Sequence, residues 1–467
     1  MREGSVKESI YYGSPAWLQN LLVSAYGYHL YRKRYTGVFH DILALTRQSR
    51  SWNRQRAEAW QAEHLHSMVK HCRQNVPFYQ KLFADYGLHE QHITSVEDVR
   101  KLPILKKATL REDQTPFRSG SGKAYMLQHT SGSTGTPLTL EVDEYTYKLA
   151  MALLVDHEES HGVSFGAPRA TFAGRMIQPA DQLSPPFARY NRAENQMIFS
   201  SYHLNSRTFP WYARALKRFN PSELIGYPSA ISDLASHYQK TGINPEFRPK
   251  AVFTNSETLL SWQREKIESI FECPVYDYYG TAEYMLFAGQ ESNGRYRLSP
   301  LLGIAEVLDE NDEPASEGRL IATTLSNRAM PLLRYEIGDS AVAVREATGH
   351  STCHELEKIV GRLDDYLEMA DGRRVGRLDH IFKGLQGLLE AQIIQDSLDH
   401  CTINAVFESE PSADQIQILT NNFKTRTGQK MNVTIRPTDY ISRGENGKFR
   451  SVVRRLDAKE QESEPCS

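Results

Sequence analysis

Cysteine is scarce and scattered, with five in 467 residues. Cys72, Cys273, Cys353, Cys401 and Cys466 form no CxxC pair and no close His/Cys ligand spacing. That argues against a disulfide scaffold or a structural zinc site and for a reduced setting. A surplus of either charge is also missing. Fifty-five Lys and Arg stand against 57 Asp and Glu, a formal charge of −2 at pH 7, so the chain as a whole gives no sign of a nucleic-acid or anionic-membrane surface. Nor is there an uninterrupted apolar run of the roughly 20 residues that a membrane-spanning helix needs. The first apolar stretch is broken by Gln19, Asn20 and His29 and reads as neither a signal sequence nor a span. A cytoplasmic protein is therefore expected. Trp17, Leu18, Leu21, Leu22 and Tyr26 can share a helical face, expected to pack on the body of the protein, with a membrane surface as the other reading.

A Walker A loop is absent as well. FRSGSGKA, residues 117–124, has Phe117 where the first Gly belongs and Ala124 in place of Ser/Thr, and reads as a polar linker.

What is present is ordinary globular chemistry, 40% hydrophobic and 24% charged, in a chain long enough for two or three domains. Residues 54–95 read as largely helical, because Leu65, Met68, Val69 and Cys72 recur at i, i+3, i+4 and i+7 before Pro77 interrupts. After Pro103 comes a short helical candidate, and from Tyr125 to Val142 the pattern is strand, loop, strand. The central section then alternates strand-like and helical pieces: RATFAG, FPWYARALKRF, ELIGY, AISDLASHYQKTG, KAVFTNSE, LLSWQREKIESIF, VYDYYG. Such alternation predicts an α/β layered fold with loops collected beyond the strand ends. Further strands are expected in GIAEVLDENDEPASEGRLIATTL and MPLLRYEIGDSAVAV. A boundary in IVGRLDDYLEMADGRRVGRLD divides a large domain, 1–361, from a small α+β domain, 362–467.

The loop HTSGSTGTP places Thr130, Ser131, Gly132, Ser133, Thr134 and Gly135 between two strand candidates. Its glycines allow close curvature, and its N–H and hydroxyl groups can face a polyphosphate; an ordinary surface turn has the same composition. Taken with HCRQNVPFYQ, EDVRKLPILKKATLRED and SRGENGKFR, this loop resembles that of the adenylate-forming superfamily, in the phenylacetate-CoA ligase branch that includes CapK-type proteins of capsule biosynthesis and coenzyme F390 synthetase-like proteins. The similarity runs from about residue 60 to near the end of the chain.

The resemblance implies a large multi-layer N-terminal domain with a small mobile C-terminal lid. It also implies ATP and Mg2+ as cofactors, and a ligase that converts a carboxylic acid to acyl-AMP with release of pyrophosphate. NSE, with Ser256 and Glu257, is similar to the adenine-framing stretch, and YYGTAE to the metal and adenine motif, with Tyr279, Gly280 and Thr281 at the nucleotide and Glu283 on Mg2+. Ala282 departs from the family, which usually has Ser or Thr there to hold phosphate, and puts that contact in doubt. YEIGD points to Asp339 on the ribose hydroxyls, and VGRLDD to Arg362 on the nucleotide and Asp364 as the hinge. SRGENGKFR carries the catalytic role to Lys448, whose ammonium is expected at the incoming carboxylate and the α-phosphate.

For the acid, Arg175, Tyr227 and Tyr278 are the substrate candidates. Tyr202, Trp211, Tyr276, Phe209 and Phe253 are further aromatics that suit either an aromatic-acid pocket or a core. Coenzyme A is the expected acceptor. Direct transfer to an amine or hydroxyl nucleophile, or an inactive adenylate-fold binding protein, are the competing readings. No nucleic-acid partner is expected.

Overall fold

The computed structural model describes residues 10–129, 138–179, 181–257, 259, 261–344, 352–360, 366–375, 378–382, 385, 387–407, 409–439, 441 and 452–456. The helical stretch begins where the Asn53 side chain accepts from the Arg56 N–H at 3.0 Å. It runs over Arg54–Asn75 with Leu65, Met68, Val69 and Cys72 buried. Pro77, which lacks an N–H to continue it, opens the next helix, Pro77–Tyr86. Met126–His129 pairs antiparallel with Thr139–Val142, the strands expected on either side of the Ser/Gly/Thr loop.

Thirteen strands of the described residues form one sheet. Five are parallel neighbours, in the order Gln196–Phe199, Arg169–Phe172, Glu223–Gly226, Ala251–Asn255, Val275–Gly280. Their side chains alternate between two apolar layers. Ala170, Phe172, Leu224, Val252 and Val275 pack with Phe209, Ile231 and Ile267 of three helices, whereas Ile225, Ala251 and Phe253 face a separate cluster that includes Val163. Burial on both faces is what a parallel sheet requires. From Phe287–Gln290 onward every pairing in the sheet is antiparallel, and GIAEVLDENDEPASEGRLIATTL supplies the paired strands Gly303–Leu308 and Glu317–Thr324.

The C-terminal part has its own four-stranded sheet, with the hairpin Leu388–Ser397 and His400–Phe407 at its centre and the helix Ala413–Thr427 against it, capped by Ser412. It meets the rest of the protein at Tyr202, which packs in its core. The Arg373 guanidinium donates to the Tyr202 carbonyl at 2.9 Å, and Arg426 lies 5.1 Å from the Tyr202 ring centroid. The boundary expected between 361 and 362 falls outside the described residues.

One expectation is corrected. Ala16–Tyr35 is a helix, but Trp17, Leu21, Leu22 and Tyr26 do not pack on the body; they are exposed. The side that docks is polar in its first half, with Gln19 buried, Asn20 accepting from the Tyr190 N–H, and the Ser24 hydroxyl donating to the Tyr190 carbonyl, while Tyr31 and Tyr35 near its end join an apolar cluster with Phe39 and Phe165. No helix among the described residues is long and apolar enough to cross a membrane.

Candidate functional site

Ligands of open α/β sheets bind beyond the carboxyl ends of parallel strands, where the chain order reverses. Here the chain leaves Arg169–Phe172 to build one side of the sheet and then returns to build the other with Glu223–Gly226. The switch point lies between these two strands. Gly174 and Arg175 follow the first and Tyr227 follows the second. Ser256 and Glu257 follow Ala251–Asn255, and Thr281 and Glu283 follow Val275–Gly280. Residues singled out from separate stretches thus meet at one edge of one sheet.

At the switch point Gly174, Tyr202, Tyr227, Ser229 and Glu257 line a cavity of about 20 Å³, room for about one water molecule. The Tyr202 hydroxyl donates to the Gly174 carbonyl at 2.8 Å. Gly174 has φ +59, and a Cβ there would sit 2.7 Å from the Tyr227 ring, so both backbone and space require glycine. Glu257 takes a role that the motif did not suggest. Its carboxylate accepts from the Ser229 N–H and hydroxyl at 3.1 and 3.0 Å, at the start of the helix Pro228–Thr241, where the helix dipole favours an anion. Ser256 holds a left-handed φ of 67, and its hydroxyl donates to the Asn255 side chain at 2.7 Å.

Arg175 is exposed and makes no hydrogen bond or ion pair among the described residues. A cation so placed is suited to an incoming carboxylate.

The nucleotide candidates gather on the other side. The Tyr279 hydroxyl donates to the Asp339 carboxylate at 2.6 Å. The Thr281 hydroxyl oxygen accepts from the Met285 N–H at 3.0 Å, which turns the chain so that Glu283 is buried. Lys107 approaches Glu283 at 3.5 Å; its segment, EDVRKLPILKKATLRED, counts as a helical candidate and as part of the family resemblance, but PILKKATL shows no phosphate-binding pattern that would single out Lys107. Among the described residues no cluster of three or more His, Cys, Asp or Glu could hold a metal ion. A single buried carboxylate is nevertheless the donor set that suits Mg2+ arriving with a triphosphate, because Mg2+ keeps waters and phosphate oxygens as its other ligands.

Tyr278 is not brought to the cavity. It stacks on Phe287, with ring centroids 5.7 Å apart, and burial pushes its hydroxyl pKa up. Trp211 and Phe209 pack in the core around Phe187 and Tyr238, and Tyr276 and Phe253 lie beside His161. Of the aromatic candidates, Tyr202 and Tyr227 line the cavity. Thr130, Ser131, Gly132, Ser133, Thr134, Gly135, Arg362, Asp364 and Lys448 lie outside the described residues.

Residues 367–455 match the CapK C-terminal domain family. Over 453 residues, 96% of this chain and 99% of the relative, the sequence is 26% identical to Protein CapK of Staphylococcus aureus. The likeness to CapK thus runs along nearly the whole of both chains. It is also similar to the phenylacetate-coenzyme A ligase of Thermus thermophilus, 24% identical over 67% of this chain and 72% of the ligase. Its fold is that of the adenylate-forming CoA ligases. The crystal structure of 2-hydroxyisobutyryl-CoA ligase, in complex with 2-HIB-AMP and CoA, superposes with a TM-score of 0.57 at 18% identity, covering 88% of this chain and 93% of the ligase. The chain accordingly has the layered architecture that its strand and helix alternation predicted.

Proposed function

We propose that the protein activates a carboxylic acid with ATP as an acyl-adenylate, releases pyrophosphate, and then passes the acyl group to coenzyme A. The observation that carries this reading is the convergence of Arg175, Tyr227, Glu257 and Glu283 beyond the carboxyl ends of four adjacent parallel strands. The naming of relatives as phenylacetate-coenzyme A ligases supports it.

In this reading Arg175 draws the acid carboxylate to the switch point, with Tyr202 and Tyr227 as walls for an aromatic or other small acid. Asp339, held by Tyr279, accepts from the ribose hydroxyls, and Arg362 supports the same nucleotide. Thr130 to Gly135 cradle the phosphates. Glu283 would hold Mg2+, which when bound screens the triphosphate charge. Lys448 bridges the attacking carboxylate and the α-phosphate, stabilising charge that develops as the carboxyl oxygen bonds to phosphorus and the bond to pyrophosphate breaks. Domains divided near 361 and hinged at Asp364 then let the small domain turn and Lys448 withdraw for the second half-reaction.

The assay that tests the reading is acid-dependent ATP–pyrophosphate exchange over a panel of aromatic and aliphatic acids, with acyl-AMP identified by mass spectrometry while acceptors are withheld. One or more acids should support exchange and accumulate acyl-AMP, and adding coenzyme A should then release AMP and form a thioester. No acyl-AMP from any acid would overturn the proposal. A second reading, transfer to an amine or hydroxyl in place of coenzyme A, is favoured by the match of residues 367–455 to the CapK C-terminal domain, since that segment would build the second half of the site. Acyl-AMP that coenzyme A fails to discharge would select it.

A further inference from the structure

We infer that the helix Ala16–Tyr35 is an interfacial docking element for an anionic lipid surface. Trp17, Leu21, Leu22, Tyr26 and Tyr28 are 43–65% exposed. At about 100° per residue they sweep roughly half of the helix circumference. Ile10, immediately before the helix, is exposed too. Three aromatic rings and two leucines exposed to this extent amount to roughly several hundred Å² of apolar surface, on the order of the largest patch on a typical monomer, which is often a binding site.

The orientation is fixed by the other side of the helix. Gln19 accepts from Arg189, and the Asn20 and Ser24 side chains bond Tyr190. A Cβ on Gly27 would lie 2.0 Å from the Asn191 side-chain oxygen, so helix and strand are in close contact there. Turning the apolar face inward would break this set of polar contacts and bury no matching surface.

Charge identifies the occupant. The helix contains no Asp or Glu and ends in Arg32, Lys33 and Arg34. Arg34 is paired with Glu194 at 2.8 Å and Lys33 lies over the Tyr125 ring at 4.6 Å, whereas Arg32 is exposed within the apolar sweep, close to His29. Arg192, whose backbone N–H donates to the Ser24 hydroxyl at 3.1 Å, adds an exposed cation at the helix edge. Aromatic rings and leucines with arginine among them suit the boundary between acyl chains and anionic headgroups, where Arg extends to phosphate while its stem stays with the apolar residues. A sweep this wide also fits a plane better than the narrower seam of a helix pair. The segment just before the helix reaches the loop that carries Arg175: the Tyr12 hydroxyl donates to the Met176 carbonyl at 3.4 Å.

Flotation of the full chain with phosphatidylcholine vesicles, with and without one-third phosphatidylglycerol, tests this inference without reference to activity. The protein should float with the phosphatidylglycerol vesicles and be released by high salt. Joint replacement Trp17→Ser and Leu21→Ser should weaken flotation at least tenfold, with an unchanged thermal midpoint because both side chains are exposed. Arg32→Glu should remove most of the preference for phosphatidylglycerol. Flotation with neither vesicle, or equal flotation of the double variant, would overturn the inference. So would a wild-type dimer in sedimentation velocity that the double variant disperses while neither protein binds vesicles, because a second copy would then cover the helix.

Discussion

The Tyr279 hydroxyl reaches the Asp339 carboxylate at 2.6 Å, although three strands lie between theirs in the sheet. In a flat sheet four inter-strand spacings would hold the two backbones about 19 Å apart, beyond the reach of a tyrosine. The sheet must curl, and its curl closes the nucleotide side of the cleft. A hydrogen bond to a carboxylate contributes about 1.5–3 kcal/mol. Tyr279→Phe should therefore lower kcat/KM for ATP by about tenfold or more in the exchange assay, and leave the KM for the acid unchanged.

Lys448 carries the chemistry in the proposed reaction. Loss of one well-placed contact to developing charge costs about 2.7–4 kcal/mol, or roughly 100- to 1,000-fold in rate. Lys448→Ala should reduce adenylation by that factor with the fold intact by circular dichroism. Exchange near the wild-type rate in the folded variant would remove Lys448 from the mechanism.

At the switch point Arg175→Leu should raise the KM for the acid about tenfold and leave the KM for ATP unaffected, as expected for loss of a carboxylate partner. Gly174→Ala is predicted to be more damaging. It adds a Cβ 2.7 Å from the Tyr227 ring at a left-handed φ, so acid-dependent exchange should fall even at saturating acid.

Gly27→Ala opposes two effects in one helix. Alanine gains up to about 1 kcal/mol of helix propensity, but its methyl would overlap Asn191, which is buried and donates to Glu194 at 2.9 Å. Overpacking costs about 1–3 kcal/mol and should prevail, so faster amide exchange is expected across Ala16–Tyr35.

Asp277 gives a dependence on pH with a definite sign. Burial raises its carboxyl to about 7, against the lowering effect of hydrogen bonds from Thr254 and Tyr296. The folded state therefore binds a proton that the unfolded chain has released above about pH 4. Its contribution is fully present below that point and is lost as pH rises to 7. Asp277→Asn, which can still bond both hydroxyls, should flatten the stability profile between pH 4 and 7 in urea unfolding.

The sequence by itself determined the local elements and the site vocabulary. Leu65, Met68, Val69 and Cys72 repeat with the period of a helix, Pro77 forces a break, and strand and helix alternate through residues 169–280, because such patterns depend on neighbours along the chain. Only the tertiary structure decided which residues share a cleft and which share a core. Tyr227 reached the cavity and Tyr278, equally aromatic, stacked on Phe287, since strand order and sheet curl set those distances. The same holds for Lys107 beside Glu283, 176 residues away, and for the N-terminal helix, whose polar side found partners on Tyr190 and Arg189 that no helical period could announce.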